Sequence, residues 1–206
     1  MVGNHHTDHA VVSAEGFVNH NIWRATMPAT RPRNLQGQKA LVTGATSGIG
    51  RAVALQLARD GAEVIVHGRN AARGAETVES IAAAGGRARF VGADLSDPAD
   101  LQRLVEAVGD IDVLVNNAGF SWFGATPDLD VATFDALFAS NVRAAFFLVA
   151  TFAPGMAARG KGSIINVSSM AGQIGLAGGA AYGATKAALA SMTRAWAAEF
   201  SPAACG

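Results

Sequence analysis

Cysteine is nearly absent from this chain: Cys205, one residue from the C-terminus, is the only one among 206 residues. No intrachain disulfide can form and no cysteine pair offers metal-ligand spacing, which fits a reducing compartment. An excess of either charge is missing as well, because 16 basic residues face 16 acidic ones without a Lys/Arg cluster. That balance argues against nucleic acid and against anionic membrane surfaces as partners. Long apolar runs are lacking too. None reaches the ~18 residues that cross a bilayer, and the longest, Ala144 to Ala153 interrupted by Thr151, reads as a buried helix. The N-terminus carries His5, His6, Asp8 and His9 but no apolar stretch of signal-peptide type, so cytoplasmic residence is the expectation.

What is present suits one α/β domain: half of the residues are hydrophobic and 16% are charged, enough apolar side chain for a core at this length. Residues 1–38 show neither strand nor helix periodicity and include Pro28 and Pro32. They read as a mobile leader, its three early histidines solvated and not metal ligands, ahead of a domain spanning 39–206 whose fold starts near Leu35. Short β-branched runs at 40–43, 63–67, 89–91, 112–115 and 163–167 then alternate with Ala-rich helical stretches at 49–60, 71–84, 98–107, 130–159 (broken near 139) and 181–199. Alternation of this kind predicts a doubly wound parallel sheet of Rossmann type, in three α/β/α layers.

The first strand runs straight into Thr43-Gly44-Ala45-Thr46-Ser47-Gly48-Ile49-Gly50 and then into a helix. Gly44 permits a tight turn, Gly48 lets backbone approach a pyrophosphate, Gly50 allows close packing, and the helix start offers free N–H groups. The expected ligand is a dinucleotide, with Thr46, Ser47 and Ile49 in the same site. The second strand ends His67-Gly68-Arg69. An acid that would hydrogen-bond a ribose 2′-hydroxyl is replaced by Gly68, and Arg69 beside it suits a 2′-phosphate, so NADP(H) is expected over NAD(H).

With its Gly-x3-Gly-x-Gly spacing preceded by Thr43, with Asp94-Leu95 after the third strand and Asn116-Asn117-Ala118-Gly119 after the fourth, the chain resembles the short-chain dehydrogenase/reductase family. The resemblance implies that Asp94, with Leu95 next to it, meets the adenine ring. It also implies that Asn117, Ala118 and Gly119 belong to a turn that braces the sheet and lines the cofactor channel.

Tyr182 and Lys186, at Tyr-x3-Lys spacing, share one helix face. Tyr182 is the only tyrosine beside ten phenylalanines, which suggests a phenol kept for its hydroxyl. Hydride exchange with a carbonyl needs a proton donor or acceptor at the substrate oxygen. A free phenol is a weak acid, and a neighbouring ammonium together with an oxidised nicotinamide would favour phenolate. By resemblance Tyr182 is the acid/base, and Lys186 both tunes it and grips the nicotinamide ribose. Ser169, thirteen positions before Tyr182, hydrogen-bonds the substrate oxygen, with Ser168 the neighbouring candidate, and Asn141 holds a water that links the lysine to solvent. The substrate is a small carbonyl compound or alcohol. Phe120, Trp122, Phe123, Ile174 and Leu176 suggest an apolar mouth, and helices at 130–159 and 181–199 suggest a homodimer or homotetramer.

The resemblance covers roughly 36–202. Family members continue with a sixth strand, a substrate-covering segment and a seventh strand, so the expectation is a fold lacking those last strands, with 163–167 as an open edge. An alternative expectation follows: a nucleotide-binding or interaction protein with weak or no catalysis.

Overall fold

Along the first strand Ala40 and Val42 face one way and Leu41 the other, and all three are fully buried. A strand buried on both faces belongs inside a parallel sheet with a layer on either side. The computed structural model describes residues 35–201 and has that form. His5, His6, His9 and Cys205 lie outside the described residues, as does the predicted leader up to residue 34. Residues 35–38, assigned to the leader from sequence, turn back onto the domain: the Leu35 N–H donates to the Asp60 carbonyl at 2.8 Å.

Five parallel strands, β1 (Lys39–Val42), β2 (Glu63–Gly68), β3 (Arg87–Gly92), β4 (Val113–Asn116) and β5 (Ser163–Asn166), lie in the order β3-β2-β1-β4-β5. The connecting helices are α1 (Gly48–Arg59), α2 (Ala71–Ala83), α3 (Pro98–Val108), α4 (Val131–Phe138), α5 (Ala144–Ala158) and α6 (Ala180–Phe200). On one face Val42, Val64, Val66 and Val115 pack with Ala54 and Ala58 of α1 and Ile81 of α2. On the other, Leu41, Ile65 and Leu114 pack with Leu104 of α3 and Leu148 and Phe152 of α5. The doubly wound three-layer architecture is therefore as expected.

The helix predicted over 130–159, with its break near 139, runs as α4 and α5 joined by a five-residue π-turn, Ala139–Arg143. The extra residue in the turn rotates Asn141 into the interior, where it is 2% exposed. By length and composition the stretch Val131–Ala158 could cross a membrane. Its Leu148, Val149, Phe152, Ala153 and Met156 are buried in the core against the sheet. Among the described residues β5 pairs with β4 alone, and Ile165 on it is 46% exposed.

Because Leu41 sits at the sheet centre with no exposed surface, Leu41→Ala is expected to lower unfolding free energy by about 3 kcal/mol through lost burial and a residual cavity. Urea denaturation measures this, and a loss under about 1 kcal/mol would contradict the packing described.

Candidate functional site

The sheet grows in both directions from β1, with β2 and β3 on one side and β4 and β5 on the other. Crevices at such a switch point, beyond the C-terminal strand ends, are where doubly wound sheets take ligands. The glycine turn leaves β1 at this place. Gly44 has φ 65°, in the left-handed region, and a Cβ on Gly50 would stand 2.4 Å from both the Gly44 carbonyl oxygen and Asn117 Nδ2. The third glycine of the motif thus lets the helix start press against two turns at once. Ser47, the residue before α1, is extended and makes no side-chain cap. By contrast Asn70, Asp97 and Asp130 cap α2, α3 and α4 through their side chains. Of these four helices α1 alone keeps its first-turn N–H groups without a side-chain partner, and such groups favour an anion.

Thr43 welds this turn to β4. Its hydroxyl donates to the Val115 carbonyl at 3.2 Å and accepts from the backbone N–H groups of Asn117 and Ala118 at 3.0 and 2.9 Å. Asn117 Nδ2 returns hydrogen bonds to the Thr43 and Gly44 carbonyls. From the other side His67, buried at the end of β2, contacts Gly44 N through Nδ1 (3.3 Å) and the Ala93 carbonyl through Nε2 (3.2 Å). Neither Thr43 nor His67 was given a role from sequence. The threonine entered only as part of the motif's spacing, and the bonds that it and a lone histidine at a strand end make are not readable until the turns they join are known.

An open cavity of about 1020 Å3 lies over these elements. Its wall includes Gly44, Thr46, Ser47, Gly48, Ile49, Arg69, Asp94, Leu95, Asn117, Ala118 and Gly119. Of the expected cofactor residues on the turns, only Gly50 is off the wall, since it packs inward. Gly68 has a steric reason to be glycine, because a Cβ would come within 2.5 Å of the Thr46 methyl carbon. The Arg69 side chain is 76% exposed and its Nη1 is 3.8 Å from Asp94 Oδ2. Asp94 accepts from the Ser96 N–H and hydroxyl, and those bonds, helped by Arg69 and His67, hold its carboxyl below the usual range.

Ser169, Tyr182 and Lys186 lie on neighbouring elements and not on the wall of this cavity. Ser169 opens a 3-10 turn, Met170–Gly172, its hydroxyl accepting from the Ala171 N–H. Ser168, the second candidate, donates to the Lys186 carbonyl. Lys186 is 6% exposed; its ammonium donates to the Val167 carbonyl at 2.9 Å and stands 6.0 Å from the centre of the Tyr182 ring. Burial lowers the Lys186 pKa. The Asn141 amide brackets Phe120, accepting from its N–H and donating to its carbonyl, and donates also to the Thr185 hydroxyl. It thereby ties the Asn-Asn-Ala-Gly turn to the helix that carries Tyr182. Of the expected apolar mouth, Phe123 packs its ring on Tyr182 at 5.6 Å, and Phe120, Phe123, Ile174 and Leu176 are exposed. No cluster of three or more metal-ligating side chains occurs among the described residues.

The short chain dehydrogenase family model matches residues 38–204, and the chain belongs to that family. An uncharacterized oxidoreductase of Thermotoga maritima is 39% identical over 169 residues, 81% of this chain and 67% of the relative. A 2-keto-3-deoxy-L-fuconate dehydrogenase of Xanthomonas campestris is 39% identical over 85% of this chain and 57% of its own. The chain therefore spans about three fifths to two thirds of the length of these curated relatives. A metagenomic short-chain oxidoreductase solved in complex with NADP superposes with a TM-score of 0.78 at 40% identity, covering 82% of this chain and 79% of that one.

Burial pulls the His67 pKa from 6.5 down to about 4, against the opposing pull of the Ala93 carbonyl and Asp94. Between those values the unfolded chain takes up a proton that the folded one refuses. The stability contributed by neutral His67 is thus complete above pH 6.5 and falls away as the pH drops towards 4, by about 3 kcal/mol in all. His67→Phe removes this titration. Urea denaturation at pH 7 and pH 4.5 should show a steeper fall for the wild type than for the variant, and parallel profiles would contradict it.

Proposed function

We propose that the protein is an NADP(H)-dependent oxidoreductase that moves a hydride between nicotinamide and a carbonyl or secondary alcohol. One observation carries the reading. Of the residues singled out for a dinucleotide, those of the glycine turn apart from Gly50, with Arg69, Asp94, Leu95 and Asn117 to Gly119, line one cavity at the switch point, over a helix start whose N–H groups have no side-chain cap. The close approach at Gly50, which no larger residue would permit, fits a pyrophosphate site of this type. A relative solved with NADP supports the cofactor.

Bound there, nicotinamide supplies or receives the hydride. Tyr182 exchanges the proton at the substrate oxygen. Lys186, a buried cation close to the ring, favours the phenolate form and holds the ribose hydroxyls once it turns from Val167. The Ser169 hydroxyl donates to the substrate oxygen as charge develops on it. Asn141 fixes the helix of Tyr182 against the cofactor turn and holds the water that connects Lys186 to solvent. Asp94 with Leu95 takes the adenine side and Arg69 the 2′-phosphate. Exposed Phe134, Phe146 and Phe147 on α4 and α5 support a homodimer or homotetramer, and the cytoplasm is the setting we assign.

A binding-only reading is favoured by a different observation: the Ser169, Tyr182 and Lys186 side chains are off the cavity wall and Lys186 is tied to Val167. An NADPH-dependent reductase assay over a carbonyl panel, run beside a cofactor titration, separates the two, since binding without turnover would favour the second. Tyr182→Phe is expected to lower kcat by at least about a hundredfold while NADP+ affinity stays within about twofold. Turnover above a few per cent of wild type would refute Tyr182 as the acid/base. NADPH is expected to bind more tightly than NADH, and equal or tighter NADH binding would refute the role of Arg69.

A further inference from the structure

The His67 ring is 2% exposed and touches two backbone groups of fixed character. Gly44 N can only donate, so Nδ1 must be an unprotonated acceptor; the Ala93 carbonyl can only accept, so Nε2 must carry the hydrogen. One tautomer satisfies both bonds. An imidazolium would turn an N–H towards the Gly44 N–H and break the first of them. Gly44 is the left-handed residue on which the glycine turn pivots, and Ala93 immediately precedes Asp94. A single buried ring thus joins the turn facing the proposed pyrophosphate to the loop facing the proposed adenine, while Thr43 and Asn117 hold the same turn from the β4 side.

We propose that His67 is a positioning residue for the dinucleotide, its neutral Nε2–H ring holding the glycine turn and the start of the Asp94 loop as one unit in the ligand-receiving conformation. The inference rests on the dinucleotide reading above. The charged group acting on the ring is Asp94, beyond β3, and Arg69, just past the end of β2, pairs with that carboxylate. The Thr43–Ser47 turn that packs against it has no titratable group. Replacing the ring with an apolar one of similar size leaves the Gly44 N–H and Ala93 carbonyl without partners, so the turn samples other conformations and binding pays for its reordering. Glutamine can restore one acceptor and one donor.

Isothermal titration with NADP+ compares wild type, His67→Phe and His67→Gln, with the thermal midpoint of each ligand-free chain recorded alongside. We expect the phenylalanine variant to bind about tenfold more weakly and the glutamine variant within about threefold of wild type. A structural role alone would lower the midpoints without moving affinity. The proposal is overturned if His67→Phe binds as tightly as wild type, or if His67→Gln binds no better than His67→Phe. Wild-type protein that binds no NADP+ removes the dinucleotide reading and this inference together, whereas binding by all three chains alike removes only the role of His67. Nitrogen-15 NMR of the wild-type imidazole is independent of whether the variants fold. It should show the Nε2–H tautomer from pH 8 to pH 5, and an imidazolium or Nδ1–H form in that range would overturn the proposal.

Discussion

The hydroxyl of Thr43 is the point on which the site depends. It lies where β1 ends and the sheet's two directions of growth meet, and it accepts two backbone N–H groups from the Asn-Asn-Ala-Gly turn while donating to β4. The Asn117 N–H also reaches the Val115 carbonyl, but losing the hydroxyl would leave the part-buried Ala118 N–H unsatisfied, at a cost on the order of 1–3 kcal/mol. The two turns therefore hold one another, and neither can shift without opening the seam between β1 and β4. Gly50 needs that fixed relation, because the gap its missing side chain leaves is already filled by Gly44 and Asn117. A turn positioned so firmly can keep the N–H groups of α1 aimed at a ligand without reorganising when one arrives.

Much of this was legible from residue order. Strand and helix bounds follow period and glycine punctuation, and much of the cavity wall follows from a glycine motif whose strand and helix neighbours are unambiguous. What stayed hidden is contact across long sequence separations. Thr43 acts on residues more than seventy positions away, and His67 on Ala93 across a strand pairing. The break near residue 139 was visible, but its form was not, since a π-turn comes from one extra residue accommodated so that Asn141 reaches the interior. Gly68 shows a different limit. Its lack of a carboxylate reads as cofactor choice, yet a Cβ there would also require the Thr46 side chain to move, so sterics and specificity point to the same residue and sequence cannot separate them.

The two halves of the site are built differently. The half around the cavity hangs on backbone groups of turns held by Thr43, Asn117 and His67. The Tyr182 half hangs on α6, and four links fasten it: Ser168 to the Lys186 carbonyl, Lys186 to the Val167 carbonyl, Asn141 to Thr185, and Asn166 to Thr193. Asn141 belongs to both halves, because the same amide brackets Phe120 directly after the Asn-Asn-Ala-Gly turn. It is a hydrogen-bonded route by which a change of position in one half reaches the other.

Charge around Asp94 follows from the same economy of fixed groups. The Asp94 carboxylate is satisfied by Ser96, so its distant contact with Arg69 at 3.8 Å is a weak, solvent-screened attraction. Arg69 is held by little else and stays free to meet an anion above Gly68. A guanidinium with a strong existing partner would have to lose that bond before taking a phosphate; here the bond to lose is small. In the proposed role of Arg69, selectivity at this corner depends less on what the arginine contacts now than on the absence of a nearer carboxylate competing for it.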